Sequence, residues 1–216
     1  MTVSEPEQTL AGQAVFLSAS IPDPARWSGE FDALEITDAV VAIGRAILSA
    51  GARLITAAHP TIAPLLLYIA SELPPADEPR VIVYQSAVFD SIMPEDTRRF
   101  AAERVGTLIT TERVGDEPPD PALAPESLSL MRRQMLTDTE PTAAVFIGGM
   151  AGIPDEMRLF NEIRPGQPTY PIGNPGGEAR NLSHDREGEI AALLLAGTIY
   201  PTIGRLIVDD IAHQAN

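Results

Sequence analysis

An alternation constrains this chain more than any other feature. Short β-branched or apolar runs recur along it, each followed by a stretch of helical spacing that opens on a capping signal, and that order builds a parallel sheet covered by helices. Ala14 to Ser20 (AVFLSAS) reads as a buried first strand, and Ile21 to Gly29, rich in Pro and Gly, as a loop. From Thr37, a candidate N-cap, Val40, Ile43 and Ile47 recur at helical spacing, and Gly51 stands where a C-cap glycine belongs. Arg53 to Ala57 (RLITA) is a second strand, with His59 and Pro60 in the loop beyond it and an apolar helix around Leu65 to Leu73. Arg80 to Gln85 is a third strand. Pro94, suited to a first helical turn, opens a helix to about Val105, ahead of a strand over Thr107 to Thr111.

The acidic, proline-dense stretch from Gly115 to Pro125 reads as a surface loop rather than a domain boundary. A helix from Glu126 to about Thr137 carries Leu128, Met131 and Met135 on one face. Ala143 to Ile147 (AAVFI) is a central strand, and Gly148 and Gly149 turn the chain into a helix near Pro154. Tyr170 to Ile172 is a last strand, and Glu187 to Ala212 is helical with a break near Pro201. Five or six parallel strands with helices between them predict an α/β fold: a Rossmann-like, doubly wound parallel sheet in a single domain over 1–216, with 1–12 a flexible N-terminus and 115–125 a surface loop.

Composition then removes whole classes of chemistry. All fifteen basic residues are Arg, against thirty Asp and Glu, so the net charge is −15 and the chain has neither Lys nor Cys. Without lysine there is no P-loop and no Schiff-base or pyridoxal-phosphate chemistry. Without cysteine there is no thiol nucleophile, thiolate metal site, iron–sulfur cluster or disulfide. His59, His184 and His213 lack metal-ligand spacing, so no metal and no cofactor is expected, and only His59 falls at a strand end. A sequence pI near 4.5 argues against a nucleic-acid polymer as partner, while leaving room for a local arginine pocket around one nucleotide. Met1 to Gln8 lacks the basic start and apolar run of a signal peptide. The charge-free stretch Ile190 to Gly204 falls short of the roughly 18 to 20 apolar residues a membrane helix needs. A cytoplasmic protein with no membrane partner is the expectation.

In an open parallel sheet, ligands bind beyond the carboxyl ends of the strands, where strand order reverses. Three features fall there. Ser18, Ala19 and Ser20 end the first strand, either offering hydroxyl donors to a phosphate or ribose or simply closing the strand in a turn. Gly148, Gly149, Met150 and Gly152 connect a strand to a helix, where glycines either let the backbone approach an anion and leave helix amides free for it, or serve packing where a helix follows a buried strand. Glu156 falls at the third helical position if Pro154 is the first, and so caps the helix; its spacing with Phe160 and Ile163 alternatively sets it above the inward stripe, facing a ligand. Arg132 and Arg133 lie on the preceding helix, on a solvated face or, for Arg132 at the border of the buried stripe, within reach of a phosphate.

These elements resemble the SLOG superfamily, named for its Smf/DprA and LONELY GUY (lysine-decarboxylase-like) members. LONELY GUY proteins carry an Arg-Lys pair on a helix, an apolar strand, then Pro-Gly-Gly-x-Gly-Thr-x-x-Glu. Here Arg132-Arg133 precede Ala143 to Ile147 and Gly148-Gly149, with Gly152 and Glu156 following. The opening Val15 to Pro22 stretch is similar to the first strand and phosphate-side loop of SLOG domains in nucleotide-signalling conflict systems. The chain departs from the motif at Ile147 for proline, Ile153 for threonine, Arg133 for lysine, and one extra residue ahead of Gly152. The resemblance implies catalytic roles for Arg132 and Glu156 in cleaving the N-glycosidic bond of a nucleoside 5′-monophosphate. The altered glycine loop shifts phosphate relative to acid, and catalysis tolerates about 1 Å poorly, so the departures favour binding over turnover.

The leading expectation is therefore a sensor of a small nucleotide or nucleotide-derived signal, a dimer acting with a separately encoded effector protein. The alternatives are a phosphoribohydrolase and a partner-binding subunit without catalysis.

Overall fold

β1 (Ala14–Ser20) takes an inner place in a six-stranded sheet, since its apolar run has no polar face to offer water. The computed structural model describes residues 9–74, 76–183 and 189–214. After β1 come α1 (Ala33–Ser49), β2 (Arg53–Ala57), α2 (Ile62–Ser71), β3 (Val81–Ser86), a 3-10 helix (Ala87–Ile92), α3 (Glu95–Ala102) and β4 (Gly106–Thr111). The second half runs α4 (Pro125–Thr139), β5 (Ala143–Gly148), α5 (Gly152–Ile163), β6 (Thr169–Ile172), α6 (Glu178–Ser183), α7 (Glu189–Ala196) and α8 (Tyr200–Gln214). All pairings are parallel, in the order β4-β3-β2-β1-β5-β6. The expected Rossmann-like, doubly wound sheet is what the chain forms, and strand order reverses between β1 and β5.

Side-chain alternation along β1 sets the two layers. Val15, Leu17 and Ala19 join a core with α1, α2 and α8, whereas Ala14 and Phe16 join a second core with α4 and α5. Phe16 meets Phe146 edge-on at 5.9 Å and stacks with Phe160 at 6.5 Å. Fully burying such a ring stabilises by about 1.5–3 kcal/mol. The same period turns Ser18 towards the α4/α5 layer.

Several boundaries differ from the sequence reading. α1 begins four residues before Thr37, because Asp32 caps it, accepting from the Leu34 and Glu35 amides at 2.8 and 3.1 Å. Thr37 lies inside the helix and bonds back to the Ala33 carbonyl at 2.8 Å. α3 stops at Ala102 rather than about Val105, with Arg104 left-handed beyond it. The expected flexible start reaches residue 12, yet Leu10 is fully buried and its amide donates to the Ala50 carbonyl at 2.8 Å. Residues 1–8 lie outside the described residues. Residues 115–124 have no regular structure, while Pro125 already opens α4; Glu117 caps that helix, accepting from the Glu126 and Ser127 amides at 2.9 Å each. Among the described residues no helix is long and apolar enough to cross a membrane.

Candidate functional site

Three elements converge at the reversal point. Ser18 lies two residues before the end of β1 and is buried by the side-chain alternation, Arg132 lies one turn past Leu128 on α4, and Glu156 lies on α5. The Ser18 hydroxyl donates to Glu156 Oε2, and Arg132 Nε donates to Glu156 Oε1 at 2.8 Å. Both carboxylate oxygens thus hold a donor, in a place where the Arg132 and Glu156 side chains are only 22% and 12% exposed.

Glu156 is therefore not the cap of its helix. α5 starts at Gly152, two residues before Pro154, which moves Glu156 into the second turn and leaves Asp155 as the acid of the first. No side chain caps α5; the Ile153 amide instead donates back to the Met150 carbonyl at 2.9 Å, and Pro154 has no amide to satisfy. Gly152 has a second use: a Cβ there would come within 3.1 Å of Arg132 Nη2, so the absent side chain makes room for the guanidinium.

Gly148 and Gly149 are placed differently from the expectation. The Gly149 amide, expected to be free for a ligand, donates to the Ser20 carbonyl at 2.7 Å. Both residues are left-handed, with φ of +63° and +77°. They are also roofed by a loop the sequence reading passed over, Pro175-Gly176-Gly177. The Glu178 amide donates to the Gly149 carbonyl at 3.0 Å, and a Cβ on Gly177 would stand 2.5 Å from the Gly148 carbonyl carbon. These glycines serve close approach of backbone, and neither lines the adjoining cavity.

That cavity measures about 870 Å³ and follows the carboxyl edge of the sheet. Ser18, Ala19 and Ser20 form one wall, and Met150, Gly152 and Glu156 another, with Arg132 between them. Arg133 reaches its rim, but is half exposed and pairs with Glu162 at 3.1 Å rather than joining Glu156. Eight of the ten expected ligand residues thus border one space.

The structure adds residues the sequence reading did not single out. Arg26, from the loop after β1, lines the cavity with no ion pair among the described residues. Trp27 beside it is the only tryptophan of the chain, and its indole nitrogen is buried without a hydrogen-bond partner among the described residues. The proximity of loop residues to a strand end was the one available signal, and a Pro/Gly-rich composition hid it. Tyr84 lines the cavity from β3; burial first, then the Asp138 carboxylate 3.4 Å away, push its hydroxyl up to about 12. His59 also lines it, and burial holds its imidazole below the ordinary value. His213 lies exposed on α8, away from the site, and His184 is outside the described residues. Among the described residues no group of acids and histidines is placed to hold a metal ion.

No curated protein matches the chain significantly. The X-ray structure of TM1055, a Northeast Structural Genomics Consortium target, is similar with a TM-score of 0.49 at 12% identity, over 80% of this chain and 81% of that one. The model of the SLOG cluster3 family matches residues 26–203, which contain α1, every strand after β1, and both Arg132 and Glu156; the chain belongs to the SLOG cluster3 family.

Proposed function

We propose that the cavity binds a small nucleotide or nucleotide-derived signal and that the protein acts as its sensor. The Ser18–Glu156–Arg132 cluster carries the reading. A carboxylate at the carboxyl edge of a parallel sheet, oriented by two donors and bordering a cavity, is an acceptor set in advance for ribose hydroxyls. Arg26, free of any acidic partner among the described residues, is the cation for a phosphate, which its fork can hold bidentately. Membership of the SLOG family supports a nucleotide as the ligand class.

A second reading, hydrolysis of a nucleoside 5′-monophosphate, is favoured by the way Ser18 and Arg132 orient Glu156. Each carboxylate oxygen keeps a lone pair beyond the donor it holds. Water would add to C1′ as the N-glycosidic bond breaks, its proton passing to Glu156. The bond's electron pair would leave on the base nitrogen, which takes up a proton, giving free base and ribose 5-phosphate.

The lone tryptophan in the cavity wall gives the test a direct readout. Trp27 fluorescence and base release are followed together as AMP, GMP, CMP, UMP, NAD and cyclic nucleotides are added. A saturable change without release supports the sensor. Release that Glu156→Gln abolishes replaces it with the hydrolase, and no response to any of these overturns both in favour of a partner-binding subunit.

As a sensor in the cytoplasm, the protein would pass its signal on as a dimer to a separately encoded effector. Leu193 on α7 and Ile199 just before α8, 43% and 65% exposed, support a contact surface at that corner. Sedimentation mass decides the dimer.

A further inference from the structure

The cavity runs well past the Glu156 cluster. Neighbouring strands lie about 4.8 Å apart, so the end of β3, two strands from β1, stands about 10 Å away from the end of β1. The wall changes character over that distance. Its charged residues come from α4, α5 and the loop after β1, whereas Thr56, His59, Gln85, Phe89 and Met93 at the far end are uncharged or apolar apart from the imidazole. Gln85 is the anomaly among them: it is 3% exposed, and its carboxamide nitrogen is buried with no hydrogen-bond partner among the described residues. Buried amide groups in folded proteins are nearly always paired, with protein or with ordered water, and one without a protein partner that borders a cavity is open to a bond from whatever fills that cavity.

We propose that the cavity end over β2 and β3 is the subsite for the planar base of the nucleotide, read by the carboxamide of Gln85. This inference rests on the nucleotide reading above. A carboxamide sets one donor beside one acceptor and so matches any heterocycle edge that pairs an acceptor with a donor. Its last torsion is broad and two-fold, so the nitrogen turns to meet the base without moving β3. Phe89 and Met93 give apolar surface for the ring faces. His59 accepts at Nδ1 from the Thr61 hydroxyl, 3.1 Å away, which leaves Nε2 as a second polar contact. A second phosphate in the same place would sit against an uncharged wall with its charge unpaired.

The test is calorimetric titration of the full chain with AMP, GMP, CMP, UMP and ribose 5-phosphate, for the natural sequence, Gln85→Leu and Gln85→Glu, with the melting temperature of each protein alone. At least one monophosphate is expected to bind about tenfold or more tightly than ribose 5-phosphate. That gain disappears in Gln85→Leu, while affinity for ribose 5-phosphate and the melting temperature stay as they were. Gln85→Glu, which keeps the shape and loses the donor, lowers the gain as well. Equal binding of all five compounds to the natural sequence overturns the subsite and leaves the nucleotide reading standing, as does a gain that survives both substitutions. A lowered melting temperature with an intact gain assigns Gln85 to the fold instead. If neither the monophosphates nor ribose 5-phosphate bind, the subsite falls, and the nucleotide reading falls with it when NAD and the cyclic nucleotides give no response either.

Discussion

Arg132 Nε and Glu156 Oε1 meet at 2.8 Å between α4 and α5, with side chains 22% and 12% exposed. Solvent screens such a pair far less than it screens the half-exposed pair that the next residue, Arg133, makes with Glu162 at 3.1 Å. Ser18 ties a third element, β1, to the same carboxylate. Removing Arg132 leaves the Glu156 carboxylate desolvated and short of one of its two donors. Arg132→Met is therefore expected to lower the unfolding free energy by about 1–3 kcal/mol, and Arg133→Met by less than about 0.5 kcal/mol. Urea denaturation measures both, and equal costs would mean that the buried pair is not made in solution.

Gly152→Ala and Gly149→Ala should part company. At Gly152 the new methyl meets only the end of the Arg132 side chain, which can move, so stability should change by no more than about 0.5 kcal/mol. The displaced guanidinium should loosen Glu156 and weaken AMP binding several-fold. At Gly149 the methyl would lie 2.1 Å from Ile153 Cγ1 on a backbone at φ +77°, and the cost should exceed about 2 kcal/mol. Thermal melts with AMP titrations separate the two, and a Gly152→Ala protein with unaltered affinity would remove Arg132 from the site.

The start of α1 gives a purely structural prediction. Asp32→Ala removes the acceptor of two helix amides and should cost about 1 kcal/mol. Thr37→Ala loses only a bond back to the Ala33 carbonyl within the helix and should cost less than half of that. Melting temperatures in the reverse order would return the cap to Thr37.

His59 supplies a pH signature. Burial lowers its pKa below the ordinary 6.5, so in that window the unfolded chain binds more protons there than the folded one does. The stability involved is complete above about pH 6.5 and is lost as pH falls from there through the folded-state value. The natural protein should lose melting temperature between about pH 7 and pH 5 relative to His59→Gln, which has nothing to titrate at that position. Parallel curves for the two proteins over that range would place the imidazole in water.

Much of the fold is legible in the chain because its signals are local. Runs such as AVFLSAS and AAVFI are too apolar for an exposed face, and the Gly51 and Pro94 signals stand beside the helix ends they mark. The motif linking Arg132, Gly152 and Glu156 likewise survives in three dimensions, since α4, β5 and α5 follow one another and meet across one sheet edge. The fate of Gly148 and Gly149 was not legible. It depends on Gly176 and Gly177, almost thirty residues onward, whose loop comes down upon them. Nor does anything local set Gln85 apart from the other residues that end strands, because a missing partner is a property of its surroundings.

By itself, then, the sequence determined the class of sheet, the exclusion of lysine and cysteine chemistry, and the residue types available to hold an anion: arginine, hydroxyls and backbone amides. Only the tertiary structure decided which of those groups are free to act. It committed the Gly149 amide to Ser20, paired Arg133 outward with Glu162, and left Arg26 without an acid partner and the Gln85 carboxamide nitrogen without a hydrogen-bond partner among the described residues. The physical reason is that composition counts donors and charges, whereas a binding site consists of those that folding has desolvated and not already satisfied.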